Sequence, residues 1–267
     1  MFDFHKNKEW YFNTQMKVTE EFIIPFVKEH LNFDKRLHIL EIGCAEAGVL
    51  KAFTKLNHKC FGVELSEGRT NLARKFMEKE LQAGQIQFMS KDIYDVDIDK
   101  EIDEKFDLVI LKDVIEHIHD QHIFISKVHE FLKPGGKIFF AFPPWQMPFG
   151  GHQQLCTNKF LSRLPYYHLL PKSLYKLMLK TFGEPESTVE SLLEIKDTRI
   201  SIEQFERICR NENFGIMKKQ FFLFNPIYQY KFGLKPRKQL GIVGSIPYLR
   251  NFLTTGVYYI IEKKAIV

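Results

Sequence analysis

Between residues 37 and 142 the chain alternates short apolar runs with amphipathic stretches. The runs are LHILEI (37–42), KCFGVE (59–64), IQFM (86–89), FDLVIL (106–111) and KIFFAF (137–142). Runs of this length, bounded by glycine or charge, read as buried strands. The stretches between them predict helices over 48–56, from a Ser66 cap to about Leu81, and over 121–132. Pro134-Gly135-Gly136 predicts a turn into the fifth strand. Strands alternating with helices indicate βαβ units and a parallel sheet. Right-handed crossovers then put helices on both faces, and ligands bind beyond the carboxyl ends of the strands.

The flanks behave differently. Residues 14–31 predict a helix, with Thr14 as cap and Val18, Phe22, Ile23, Phe26 and Val27 at helical spacing. Residues 143–200 break the rhythm with proline, aromatics and leucine, and predict an insertion over the crevice with a helix near 172–179. Ser201 then caps a helix over 201–214, with Glu203 and Gln204 in its first turn. Two more strands follow at 216–224 and 256–263, and the segment between them is irregular and basic around 235–238. The expectation is a Rossmann-like, doubly wound, mostly parallel sheet of seven strands. It carries an N-terminal helical segment (1–34), a core (35–142 and 201–267) and an insertion after strand five (143–200).

Composition narrows the class. Of 267 residues, 45% are hydrophobic and 27% charged, which is ordinary globular usage, and 26 phenylalanines allow a large core or an apolar cleft. A net charge of +5 suits nucleic acid, anionic lipid or a phosphorylated substrate, and also many cytoplasmic enzymes. Cys44, Cys60, Cys156 and Cys209 form no C-x-x-C pair, so neither a zinc site nor a disulfide framework is expected. The start Met1-Phe2-Asp3-Phe4 lacks the basic and apolar regions of a secretory leader. No apolar run nears the roughly 20 residues of a spanning helix. The expected location is the cytoplasm.

Four loops carry the chemistry. Glu41-Ile42-Gly43-Cys44-Ala45-Glu46-Ala47-Gly48 joins a strand to a helix N-terminus through small residues, so backbone amides can approach a ligand closely. Glu64 ends strand two, followed by Leu65, and a carboxylate there can accept from two ribose hydroxyls. After strand three, Asp92 can accept from an exocyclic amine, while Ile93 can pack on a purine. After strand four, Lys112-Asp113-Val114-Ile115-Glu116-His117 enters the centre of the crevice. Each loop alone has a bland alternative: a tight turn, a helix-capping acid, a surface turn, a histidine bonded to its own backbone. Their order and spacing are far more specific.

In that order the loops resemble the class I S-adenosylmethionine-dependent methyltransferases, notably the small-molecule branch with a D-V-x-E-H element after strand four. The resemblance covers residues 35–142 well, and 201–224 and 256–263 weakly. It implies S-adenosylmethionine as cofactor and S-adenosylhomocysteine as product. It puts the methionine part on Glu41 and on Gly43 to Gly48 (Cys44 and Ala45 included), the ribose on Glu64 and Leu65, and the adenine on Asp92 and Ile93. Lys112, Asp113 and His117 complete the implied cofactor set. The family's first loop has further glycines where Ala45 and Ala47 stand. Alanine narrows the allowed backbone angles there, which puts the loop's affinity in question.

Phe142-Pro143-Pro144-Trp145 imitates the signature of enzymes that methylate base amines, but it follows strand five instead of strand four and implies no such acceptor. Candidate bases are Asp113, His117 and His152, the last following Gly150-Gly151. No metal-ligand cluster is evident, so metal assistance is not expected. The insertion's apolar density suits a lid over a small or lipid-like acceptor, a helical pair completing the core, or a homodimer surface. Trp10-Tyr11-Phe12 either folds over the cofactor or staples the first helix. Besides O- or N-methylation of such an acceptor, two alternatives stay open. One is an RNA methyltransferase using the basic stretch 218–250, although nucleic acid is the less favoured partner. The other is a non-catalytic cofactor-binding scaffold. A dehydrogenase is a weaker rival.

Overall fold

A computed structural model describes residues 7–264. The first six residues, on which the reading of the chain's start rests, lie outside the described residues. The strands are β1 (His38–Ile42), β2 (Lys59–Glu64), β3 (Ile86–Ser90), β4 (Phe106–Lys112), β5 (Leu132–Phe142), β6 (Phe214–Phe224), β7 (Arg237–Lys238) and β8 (Gly256–Lys263). They form one sheet in the order β3-β2-β1-β4-β5-β8-β6-β7. The pairs from β3 to β5 are parallel, while β8 runs antiparallel to both β5 and β6. The Rossmann-like expectation holds, with eight strands instead of seven. The extra strand is the two-residue β7, paired to the outer edge of β6, and too short to leave a periodic signal.

Both faces of the sheet are covered. Leu40, Val109, Leu111 and Phe140 belong to one buried cluster. Their chain neighbours Ile39, Leu108, Ile110 and Phe139 belong to another. Successive side chains of a strand point to opposite faces, so the unbroken apolar runs are what a doubly covered sheet requires. Strand order reverses between β1 and β4, and the crevice at that reversal is where such sheets take ligands.

Several boundaries move. The N-terminal helix begins at Lys8, capped by the Asn7 side chain, which accepts from the Trp10 amide. Thr14 is buried in mid-helix and caps nothing. A wide π turn, Thr19–Ile23, then leads into Ile24–Lys28. Pro25 has no N–H to give an i→i−4 bond, and the widened turn just before it accommodates that loss. The helix capped by Ser66 stops at Phe76, where Met77 leaves helical angles with its side chain fully buried. A separate turn, Glu78–Gln82, follows. Pro134-Gly135-Gly136 lies inside β5, where it bulges between the Leu132 and Lys137 pairings. Gly135, at φ +75°, permits that bulge.

The insertion holds helices Lys172–Thr181 and Glu186–Thr198. Much of its apolar density packs on itself: Cys156, Leu161, Tyr167, Tyr175, Leu179, Val189 and Leu192 form a third buried cluster. Trp145 of the misleading Pro-Pro-Trp run is a structural anchor. Its amide donates to the Ile200 carbonyl at 2.8 Å, its carbonyl bonds His168 Nε2 at 2.8 Å, and Lys196 lies over its ring at 5.3 Å. No described helix is long and apolar enough to cross a membrane.

Candidate functional site

The loop after β1 is bound at both ends. The Gly43 amide donates to the Val63 carbonyl at 2.8 Å, and the Ala47 amide to the Cys44 carbonyl at 2.7 Å. Gly43, Ala45 and Ala47 all have positive φ, at +73°, +48° and +65°. The two alanines thus adopt the left-handed conformation that glycine takes at less cost. The loop closes despite the substitutions. Gly48 opens the next helix under the N-terminal one: a Cβ there would lie 2.4 Å from the Phe12 carbonyl oxygen.

Three carboxylates stand around this loop. Glu64, at the end of β2, accepts the Ala45 amide on Oε2 at 3.0 Å and the Ser66 amide on Oε1 at 2.9 Å. Glu41 is buried, and its Oε2 has no hydrogen-bond partner among the described residues. Burial holds the Glu41 carboxyl well above the usual range; Lys112 opposes this and Glu64 adds to it. Asp113 sits at φ +57°, with its amide on the Ala141 carbonyl at 2.8 Å and its carboxylate ion-paired to Lys112. Enclosure raises its pKa, but the Lys112 ammonium outweighs that and holds it below the ordinary value.

Two cavities meet here. The first, about 420 Å³, is lined by Tyr11, Phe12, Glu41, Gly43, Cys44, Ala45, Gly48, Lys112, Asp113, His117 and His152, among others. The second, about 490 Å³, is lined by Glu116, Phe142, Pro143, Met147, Phe149, Ile227, Tyr228, Lys231, Phe232 and Tyr258, among others. Tyr11, Lys112, Asp113, His152 and Gln154 line both.

The residues singled out from sequence therefore divide. Glu41, the loop 43–48, Lys112, Asp113, His117 and His152 converge on the first cavity. Glu64 stands beside it through its bond to Ala45. The Lys91 amide donates to the Glu64 carbonyl at 3.2 Å, so Glu64 and Asp92 leave the same end of the sheet. Asp92 is exposed and accepts the Tyr94 amide at 3.0 Å. Leu65 is 70% exposed, whereas Ile93 is buried in the main core. The glycines before His152 admit protein instead of ligand: a Cβ on Gly150 would lie 2.2 Å from the Trp145 oxygen, and one on Gly151 2.4 Å from His168 Cβ.

His152 is held at φ +54°, with its ring 5.0 Å from that of His117. Burial, aided by the nearby His117, pulls its pKa down to about 4, and enclosure lowers His117 as well. Glu116 is buried with both carboxylate oxygens unpartnered among the described residues, and burial raises its pKa well above the ordinary range. Glu116, His117 and His152 bring their ligand atoms within 4.8 Å of one another, a grouping that can hold a metal ion. That cluster is invisible along the chain, because His152 comes from another loop, far from the other two. Glu116 itself stood in view within the D-V-x-E-H run. Tyr11, one of the aromatics expected either to fold over the cofactor or to staple the first helix, lines both cavities, whereas nothing in the pattern marked Lys231 or Tyr258 as cavity residues.

Three basic residues of the stretch 218–250 are in ion pairs, while Lys235, Arg237 and Lys238 are exposed. Lys218 pairs with Glu29, Lys219 with Glu206, and Arg250 with Glu203 and Glu206.

The comparisons agree with this architecture. Residues 13–177 match the family model described as "Methyltransferase domain". A ubiquinone biosynthesis O-methyltransferase of Coxiella burnetii is 29% identical over 112 residues, which are 40% of this chain and 44% of that enzyme. One from Nitrobacter winogradskyi is 30% identical over 106 residues, 40% of this chain and 38% of the relative. The chain thus matches less than half the length of these relatives. Among solved structures, a magnesium protoporphyrin IX methyltransferase from Synechocystis with bound S-adenosylhomocysteine superposes with TM-score 0.56 at 12% identity, over 97% of this chain and 88% of that one. An S-adenosylmethionine-dependent methyltransferase from Clostridium acetobutylicum gives 0.57 at 14%, over 94% and 92%. With the family model spanning more than half of its length, the chain belongs to the class I S-adenosylmethionine-dependent methyltransferases.

Proposed function

We propose that the chain moves a methyl group from S-adenosylmethionine to an oxygen or nitrogen of a small, lipid-like acceptor. The observation that carries this reading is the meeting of two cavities over Asp113, Lys112 and Tyr11, at the point where strand order reverses. The residues present fit the cofactor. The unpartnered oxygen of Glu41 offers an acceptor to an ammonium group, and Glu64 keeps lone pairs beyond its two backbone bonds for ribose hydroxyls. Asp92 and Leu65 continue the same edge toward the adenine.

The bound sulfonium supplies an already activated methyl group. The chain's part is to align the acceptor and exclude water. Phe142, Met147, Phe149 and Val257 provide apolar walls for the acceptor's body. Tyr11 and Phe12, from the N-terminal helix, close the cofactor side. Where the acceptor carries a proton, Asp113 and His152 line both cavities and stand nearest the junction to receive it, and His117 lines the cofactor side. The names of the curated relatives support a lipid-like acceptor. The test is transfer of labelled methyl from S-adenosylmethionine into the organic-extractable and RNA fractions of a cell lysate. Label in the organic fraction supports this reading, and label confined to RNA overturns it.

A further inference from the structure

Outside the cleft, the stretch 234–253 stands apart in charge and exposure. Between Glu212 and Glu262 the chain carries no acidic residue. The acids that reach this stretch from elsewhere are taken: Glu203 and Glu206 pair with Arg250, and Glu29, on which Lys238 acts, pairs with Lys218. Lys235, Arg237 and Lys238 are exposed and form no ion pair among the described residues. Large apolar side chains stand among these cations. Leu240, Ile242 and Tyr248 are 66%, 81% and 70% exposed, and Ile246, Leu249 and Leu253 are exposed as well. Single apolar side chains in water are ordinary, but a cluster of this size marks a contact surface.

These residues form one patch. Gln239 Nε2 donates to the Leu253 carbonyl, and Arg250 Nη1 to the Gly244 carbonyl at 3.4 Å, so the stretch folds back on itself. The patch adjoins the larger cavity on two sides. Leu234, exposed, lines that cavity and directly precedes Lys235. On the other side the Phe252 ring lies 6.4 Å from the Tyr166 ring, and the Tyr166 hydroxyl donates to the Phe252 carbonyl at 3.3 Å. The Tyr166 amide in turn donates to the Pro148 carbonyl at 2.8 Å, next to the cavity residue Phe149.

We infer that residues 234–253 are a docking surface for a bilayer of anionic lipid, beside the mouth of the larger cavity. The exposed apolar side chains enter the boundary between headgroups and acyl chains, while Lys235, Arg237 and Lys238 meet the lipid phosphates. RNA would engage the cations and leave the apolar side chains in water. A second copy of the chain would bring the same three cations against them. On the methyl-transfer reading, a lipid-like acceptor then reaches the cavity directly from the bilayer; the docking itself does not depend on that reading.

The test is co-sedimentation of the full chain with vesicles of phosphatidylglycerol and, separately, of phosphatidylcholine. At low salt the chain binds the first about a hundredfold tighter, as three cations at roughly fivefold each require. Replacing all three, Lys235→Gln with Arg237→Gln and Lys238→Gln, abolishes that preference. Leu240→Ser with Ile242→Ser weakens binding to phosphatidylglycerol by about tenfold or more, since those side chains no longer gain by leaving water. All five positions are exposed, and thermal melts establish that both variants are folded. A chain that does not bind phosphatidylglycerol vesicles overturns the inference, whether it is then retained on poly(U) RNA or elutes as a dimer held by the same residues. Wild-type binding by the folded Leu240→Ser, Ile242→Ser variant overturns it too, because cations alone would then account for the attraction. The vesicles are tested without cofactor, so a chain that binds them but ignores S-adenosylmethionine contradicts the methyl-transfer reading and leaves this one standing.

Discussion

The Glu64 carboxylate accepts the Ala45 amide at 3.0 Å, tying the end of β2 to the loop after β1. The same carboxylate accepts the Ser66 amide at 2.9 Å and so starts the next helix as well. One side chain thereby sets the distance between the two loops that flank the cofactor cleft. Glu64→Ala removes that brace and the proposed ribose acceptor together. Cofactor affinity, read by calorimetry, falls by about 1.5–3 kcal/mol, roughly ten- to a hundredfold. Unchanged affinity in a folded variant would remove Glu64 from the site.

Ala45 carries backbone strain that glycine would not. At φ +48° it occupies a region costing an L-residue roughly 1–2 kcal/mol, partly offset by glycine's greater freedom in the unfolded chain. Ala45→Gly should raise stability by up to about 1 kcal/mol in urea unfolding, and Ala45→Val should lower it by more than that.

Gly48 is the reverse case. Its added Cβ would meet the Phe12 backbone oxygen at 2.4 Å, and a backbone atom cannot yield as a flexible side chain does. Gly48→Ala pushes the N-terminal helix off the cleft, at a cost of about 1–3 kcal/mol. The expected signature is lower thermal stability together with weaker cofactor binding, since Phe12 and Tyr11 line the cleft.

His168 makes stability depend on pH. Its ring is fully buried, with Nδ1 2.7 Å from Gln153 Nε2 and Nε2 2.8 Å from the Trp145 carbonyl. The neutral tautomer that donates from Nε2 and accepts at Nδ1 satisfies both contacts. Burial holds its pKa down to about 4. The unfolded chain therefore takes up a proton between about pH 6.5 and 4 that the folded chain refuses. Stability is retained above that window and falls as pH drops through it, by up to about 3 kcal/mol. Urea unfolding at pH 7 and pH 5 measures the loss, and His168→Gln should shrink it.

The sheet from β1 to β5 could be read from sequence because strands covered on both faces leave unbroken apolar runs. The insertion's third cluster left no such trace: Cys156, Tyr175 and Leu192 meet from three separate segments. The edge strand Arg237–Lys238 is too short for any period. Glu41, Asp113 and the loop 43–48 were legible because strand ends announce themselves. Lys231 and Tyr258 were not, since a lysine in an irregular basic segment and a tyrosine in a buried strand look like solvent and core. His152 was noticed for its glycines, yet those glycines serve Trp145 and His168.

The cleft beyond β1 and β4 is the proposed seat of S-adenosylmethionine. Calorimetric titration of the whole chain with S-adenosylmethionine, and with NAD as a control, is the decisive measurement. Micromolar binding of the first and none of the second is the predicted result. A folded chain that binds neither would mean that the alanine-substituted loop no longer holds the cofactor, and a non-catalytic scaffold would be the better description.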